Sequence, residues 1–90
     1  MPMSPQNAEI LALDALAWLA GDADGLQRFL DISGTDAAAL RSSAGTPAMN
    51  VAILDFLLAQ EDLLLRFCES AEISPKTLHL ARHRLDAGGG

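Results

Sequence analysis

Thr46-Pro47-Ala48-Met49-Asn50-Val51-Ala52-Ile53-Leu54-Asp55-Phe56-Leu57-Leu58-Ala59 decides the fold. The stretch opens as a helix opens. Thr46 supplies a capping hydroxyl, and Pro47 takes the first helical position, where its missing N–H would have no partner anyway. From Ala48 to Ala59 only Asn50 and Asp55 are strongly polar. A helix apolar nearly all round must be covered by others. Asn50 and Asp55 read as polar edges that fix how it sits.

The flanking sequence supplies the cover. Ser4-Pro5 repeats the cap-then-proline start, and a first helix runs from Pro5 to Ala20. Ile10, Leu11, Leu13, Leu16, Trp18 and Leu19 wrap widely around it, which makes it the second most buried helix expected. Asp22 caps a second helix that ends at Ile32 or Ser33, with Gly34 as a left-handed stop. Leu26, Phe29, Leu30 and Ile32 face inward. Thr35 caps a short third helix, Asp36 to Ser42. After the central stretch, Gln60-Glu61-Asp62 marks a kink or a new start. A fifth helix, Glu61 to Glu72, carries the stripe Leu63, Leu64, Phe67, Cys68 and Ala71. Ser74-Pro75 opens a sixth, to Leu85, with Leu78, Ala81 and Leu85 inward. Residues 1–3 and 87–90 are expected to fray.

Composition agrees with this pattern. Half of the 90 residues are apolar, aromatics are 4%, there is no Tyr, and Val51 is the only valine. Leu and Ala favour helices, and little β-branched material is left for strands. The expectation is an all-α, compact bundle of five or six helices in one domain spanning 1–90. No apolar run approaches the ~18–20 residues of a membrane span. The N-terminus lacks the basic segment of a secretory signal, and a lone Cys68 forms no internal disulfide. The expected location is cytoplasmic.

The chain also echoes itself. Leu13-Asp14-Ala15-Leu16 returns as Leu54-Asp55-Phe56-Leu57, and Leu26-Gln27-Arg28-Phe29 as Leu64-Leu65-Arg66-Phe67. In each half a leucine, Leu40 or Leu78, follows the Phe soon after a hydroxyl-capped start. Two related three-helix units packed through helices 1 and 4 account for this internal repeat.

These blocks resemble a known family. The first helix ends Trp18-Leu19-Ala20. Leu26-Gln27-Arg28-Phe29-Leu30 runs to the Ser33-Gly34 stop. The helix Val51 to Leu58 leads into Leu63-Leu64-Leu65-Arg66-Phe67. Together they resemble domain-of-unknown-function family 3572, a family of short all-helical bacterial proteins, over nearly the whole chain. The resemblance implies an all-helical fold and brings no catalytic residue, cofactor or partner.

Net charge is −6, unevenly spread. Residues 1–75 hold 11 acidic residues against three arginines, while Lys76, Arg82 and Arg84 face only Asp86 beyond them. The simplest account lays a basic last helix across an acidic body. An acidic chain is a poor nonspecific ligand for nucleic acid or anionic membrane. The segment from Leu40 to Met49 fails as a helix-turn-helix, because the helix that follows offers Asn50 and nothing basic to bases or phosphates.

The chemistry-bearing residues read as structural. Asp14 and Asp55 could form a buried carboxylate pair sharing a proton. Edge carboxylates paired with Arg28, Arg66 or a helix N-terminus are the simpler reading, since an unpaired buried charge costs several kcal/mol. His79 and His83 have the i, i+4 spacing of two metal ligands, but no third ligand is fixed and Arg82 lies between them. Cys68 sits mid-helix on the apolar stripe beside Glu69, where a thiol is inert. Trp18 and Phe56 belong to the core. No catalytic residue, metal site or cofactor is expected.

What is left is a non-enzymatic protein-interaction or regulatory module whose partner is another protein, acting as a monomer or a weak homodimer. The candidate partner-binding residues are Lys76, His79, Arg82, His83 and Arg84. The alternatives are nucleic-acid binding through the basic helix 74–85, and a small enzyme or ligand carrier using Asp14 and Asp55.

Overall fold

The computed structural model describes residues 4–88, with side chains described to Asp86. Six α-helices and no strand occur among them: α1 (Pro5–Ala20), α2 (Ala23–Ser33), α3 (Ala37–Ser43), α4 (Pro47–Ala59), α5 (Glu61–Ala71) and α6 (Pro75–Gly88). The radius of gyration is 12.1 Å, against about 12 Å expected for a compact chain of this length. No described helix is long and apolar enough to cross a membrane.

The caps explain most of the boundaries. Ser4 Oγ accepts the Asn7 N–H at 3.1 Å, Asp22 Oδ1 accepts that of Gly25 at 3.0 Å, and Thr46 Oγ1 accepts that of Met49 at 3.2 Å. Each satisfies a donor that the helix itself leaves without a partner. Gln60 serves twice, ending α4 and preceding α5 without a side-chain cap, and Glu61 and Asp62 place negative charge in the first turn of α5. Gly34 closes α2 in the left-handed conformation at φ 69°. Glu72 does the same for α5 at φ 58°, although it carries a side chain.

Two boundaries depart from expectation. The cap of α3 is Asp36, not Thr35: its Oδ1 accepts the Ala39 N–H at 2.8 Å. The Thr35 N–H is occupied closing α2, donating to the Leu30 carbonyl. At the other end, α6 passes Leu85 and continues to Gly88. Ala87 and Gly88, expected in the frayed tail, are helical; residues 1–3 and 89–90 lie outside the described residues.

The core is the mutual contact of α1, α4 and α6, with α6 making the most extensive contact on α1 and the next on α4. On α4, Ile53, Leu54, Phe56 and Leu57 are buried, as its sequence requires. On α1 the buried residues are Ala8, Ala12, Ala15 and Leu19. This corrects the expectation for that helix. Ile10 and Leu13 are 56% and 43% exposed, and Leu11, Leu16 and Trp18 only flank the core. Hydrophobicity ranks Leu above Ala, but contact with two neighbouring helices favours the face with the smallest side chains. Ala81 makes α6 small at its buried face too. Two further inward assignments fail: Ile32 is 64% exposed and Ala71 is exposed, whereas Leu85 is half-buried and packs against the core.

α2 and α5 are both 11 residues long, and both end on a left-handed residue, Gly34 and Glu72. Trp18 meets Phe67 edge-on at 5.7 Å between ring centroids, and Phe29 meets Phe56 edge-on at 5.2 Å. The second contact is the first with the halves exchanged, since Trp18 and Phe56, like Phe29 and Phe67, stand at one constant interval. Such contacts are worth about 0.5–1.5 kcal/mol each beyond burial. The match of Leu13-Asp14 to Leu54-Asp55 stands at a different interval, three residues longer.

Ala15→Leu should lower stability by about 1–3 kcal/mol through overpacking, read as a lower urea midpoint. Ile10→Ala, on the outer face of α1, should change it by less than about 0.5 kcal/mol.

Candidate functional site

The sequence assigns partner binding to α6, and the structure divides its five residues into three groups. Lys76, His79 and His83 are exposed on the outer face of the helix. They surround Leu80, which is 48% exposed. The face opposite carries Leu78 and Ala81, both fully buried, so the spacing of α6 forces Leu80 outward. Leu80 is the residue that sequence reasoning passed over. Its signal was available: it lies off the stripe formed by Leu78, Ala81 and Leu85.

Arg82 points elsewhere. Its Nε donates to Asp55 Oδ1 on α4, and its Nη1 lies 3.7 Å from Asp86 on α6. These carboxylates hold its guanidinium protonated more firmly than usual, the Asp55 hydrogen bond contributing most. Arg82 therefore ties α6 to α4. Arg84 is half-buried and turned toward a cleft at the starts of α1 and α4.

Asp14 and Asp55 are both exposed, so the buried carboxylate pair does not form. Asp55 is paired, as expected of an edge residue, but with Arg82 rather than Arg28 or Arg66. Those arginines join α2 to α5 instead. Arg28 donates to Asp62 at 2.8 and 3.0 Å and to Asp24 at 2.7 Å. Arg66 Nη1 donates to Asp22 at 2.7 Å and its Nη2 lies 4.0 Å from Asp24. Arg66 also covers the Trp18 ring, 5.8 Å from its centroid, so the tryptophan is neither bare nor fully sealed. The Arg28 hydrogen bond, ahead of every other cause, holds the Asp62 carboxyl below its usual range.

Cys68 is buried, and desolvation pushes its thiol up, away from the nucleophilic thiolate. Among the described residues no three of the His, Cys, Asp and Glu side chains converge as a metal site would require.

Asn50 is the second surprise. It is 4% exposed rather than set at an edge, and no hydrogen bond to its side chain is formed by any described residue. It lies in the same cleft as Arg84. Its signal in the sequence was that apolar residues surround it on every side of α4.

A family profile described as "protein of unknown function (DUF3572)" matches residues 5–88, which is all six helices. The chain belongs to the DUF3572 family. Curated proteins and solved structures give no match. Membership in DUF3572 therefore fixes kinship without assigning chemistry, and the residues of this DUF3572 protein must supply the functional argument themselves.

The Arg28–Asp62 contact has a pH signature. Because the folded Asp62 carboxyl titrates lower than in the unfolded chain, its contribution is complete above the usual carboxylate range and is lost as pH falls through the folded value. Asp62→Asn should thus lower the urea midpoint at pH 7, and the difference from wild type should shrink toward zero as pH falls below the usual carboxylate range. A difference independent of pH would assign the loss to something other than this charge pair.

Proposed function

We propose that the protein is a non-enzymatic interaction module that binds an acidic segment of another protein through the outer face of α6. The carrying observation is Leu80, half-exposed and framed by Lys76, His79 and His83 at helical spacing. An apolar residue in a polar rim is the arrangement of a binding anchor. The sign of the charge selects the partner. The protein carries a net charge of −6 with its histidines counted as neutral, yet α6 presents Lys76 and two histidines here, and Asp86, the one acid of the helix, is drawn toward Arg82. An acidic partner is repelled by the rest of the surface and admitted here, which favours one orientation of docking.

Other features support the same reading. Asp14 and Asp55 are exposed on separate helices, Asp55 is paired with Arg82, and the one thiol is buried. Nucleic acid is a poorer partner, because Arg82 is spent on Asp55 and few cations are left to track phosphates. The constant interval that separates Trp18 from Phe56 and Phe29 from Phe67 supports descent from a repeated three-helix unit. Only the second copy bears the basic face, on α6; α3, its counterpart, is seven residues long.

Arg82→Ala is a poor probe of this surface, since it also loosens α6 from α4. Lys76→Glu combined with Leu80→Glu changes only the exposed face. Affinity capture from the native cytoplasm should retain a protein with an acidic segment on the wild type, and the double variant should bind that protein at least about tenfold more weakly. Undiminished binding by a folded double variant, or retention of nucleic acid in place of protein, overturns the proposal.

A further inference from the structure

Where the N-terminal turns of α1 and α4 meet the last turns of α6 there is an open cleft of about 500 Å³. That volume lies within the range of ligand sites. Its walls are mainly apolar: Pro5 from α1, Pro47 and Val51 from α4, and Leu85 from α6. Into it opens the side chain of Asn50. The residue is 4% exposed, and its carboxamide has no hydrogen-bond partner among the described residues. No fully sealed side-chain nitrogen or oxygen lacks a partner, so its polar atoms must keep access to the cleft.

An amide with no protein partner and reach only to the cleft adds nothing to the packing of an apolar helix. A leucine in the same place would bury more apolar surface. We propose that the cleft is a binding site for an extended peptide segment, with the Asn50 carboxamide pairing the N–H and the carbonyl of one residue of that segment.

The ligand class follows from the chemistry of the walls. A wholly apolar ligand would seal Asn50 without a partner. A carboxylate ligand would meet Glu9 and Asp86 at the rim, two acids against Arg84, the one cation among the described lining residues, which already has an interaction of its own. A residue within an uncharged peptide avoids both penalties. In an extended backbone its N–H and carbonyl point to the same side, the complement of the Asn50 carbonyl and NH₂. An apolar side chain beside that peptide residue is covered by Pro47, Val51 and Leu85. The cleft is open rather than enclosed, so a chain can pass through it. That favours a peptide segment over a free small amide. The site shares no residue with the Lys76–Leu80–His83 face and stands whether or not that face binds.

The test uses the full chain labelled with ¹⁵N. N-acetyl-leucine N-methylamide and a capped hexapeptide with a central leucine are titrated separately, following the Asn50 side-chain NH₂ resonances. Both probes should shift these signals saturably, with the hexapeptide at least tenfold tighter. N-acetyl-leucine, which ends in a free carboxylate, should bind at least tenfold more weakly than its methylamide. Asn50→Leu should abolish binding of both amides while raising the melting temperature, by about 4 °C or more. Absence of saturable shifts with either amide overturns the site. A hexapeptide no tighter than the single capped residue overturns the peptide assignment. An Asn50→Leu protein that melts lower than wild type overturns it also, because Asn50 would then be holding the fold together.

Discussion

The structure depends on how closely α1, α4 and α6 can pack. α4 is too apolar to face water on any side, so at least two other helices must cover it. α1 meets that demand with Ala8, Ala12 and Ala15 rather than with its leucines. α6 contributes Leu78 and Ala81. Small side chains let neighbouring backbones approach, and the larger residues of α4 fill what remains. The consequence reaches the surface. Turning the alanines inward turns Ile10 and Leu13 outward on α1, and placing Leu78 and Ala81 inward turns Leu80 outward on α6. Functional possibilities on the cover are by-products of how the centre packs.

Charge then fixes the arrangement that packing permits. Arg28 and Arg66 each cross between α2 and α5, and Arg82 crosses from α6 to α4. These are partly exposed pairs, so each adds little stability, and their use is in orientation. The picture of a basic last helix lying on an acidic body is therefore half right. Arg82 does bind the body. Lys76, His79 and His83 face away from it, and that division is what makes an outward-facing basic patch possible on an acidic protein.

Much of the fold was legible in the sequence because caps are local. Ser4-Pro5, Asp22, Thr46-Pro47 and the Gly34 stop declare themselves within a few residues, and all act as read. The stripe of α5 was legible too, since Leu63, Leu64, Phe67 and Cys68 are apolar on one face only. Helix α1 was not. It is apolar on several faces, and its true inner face is decided by the shape of α4 and α6, which no local pattern contains. The placement of Asn50 failed for the same reason. Its burial depends on the ends of α1 and α6. Of the candidate site, the outward Lys76, His79 and His83 followed from helical spacing, whereas the pairing of Arg82 with Asp55 joins positions far apart in the chain.

The central claim is that α6 closes the bundle as an integral part of the α1–α4 core. Native-state hydrogen exchange tests this most directly. Amides of Leu78 and Ala81 should open with the same free energy as those of Ala15 on α1 and Leu54 on α4, the value of global unfolding. Should Leu78 and Ala81 exchange through a separate opening of lower free energy while α1 and α4 stay protected, α6 would be an appendage on a four- or five-helix core, contrary to this account.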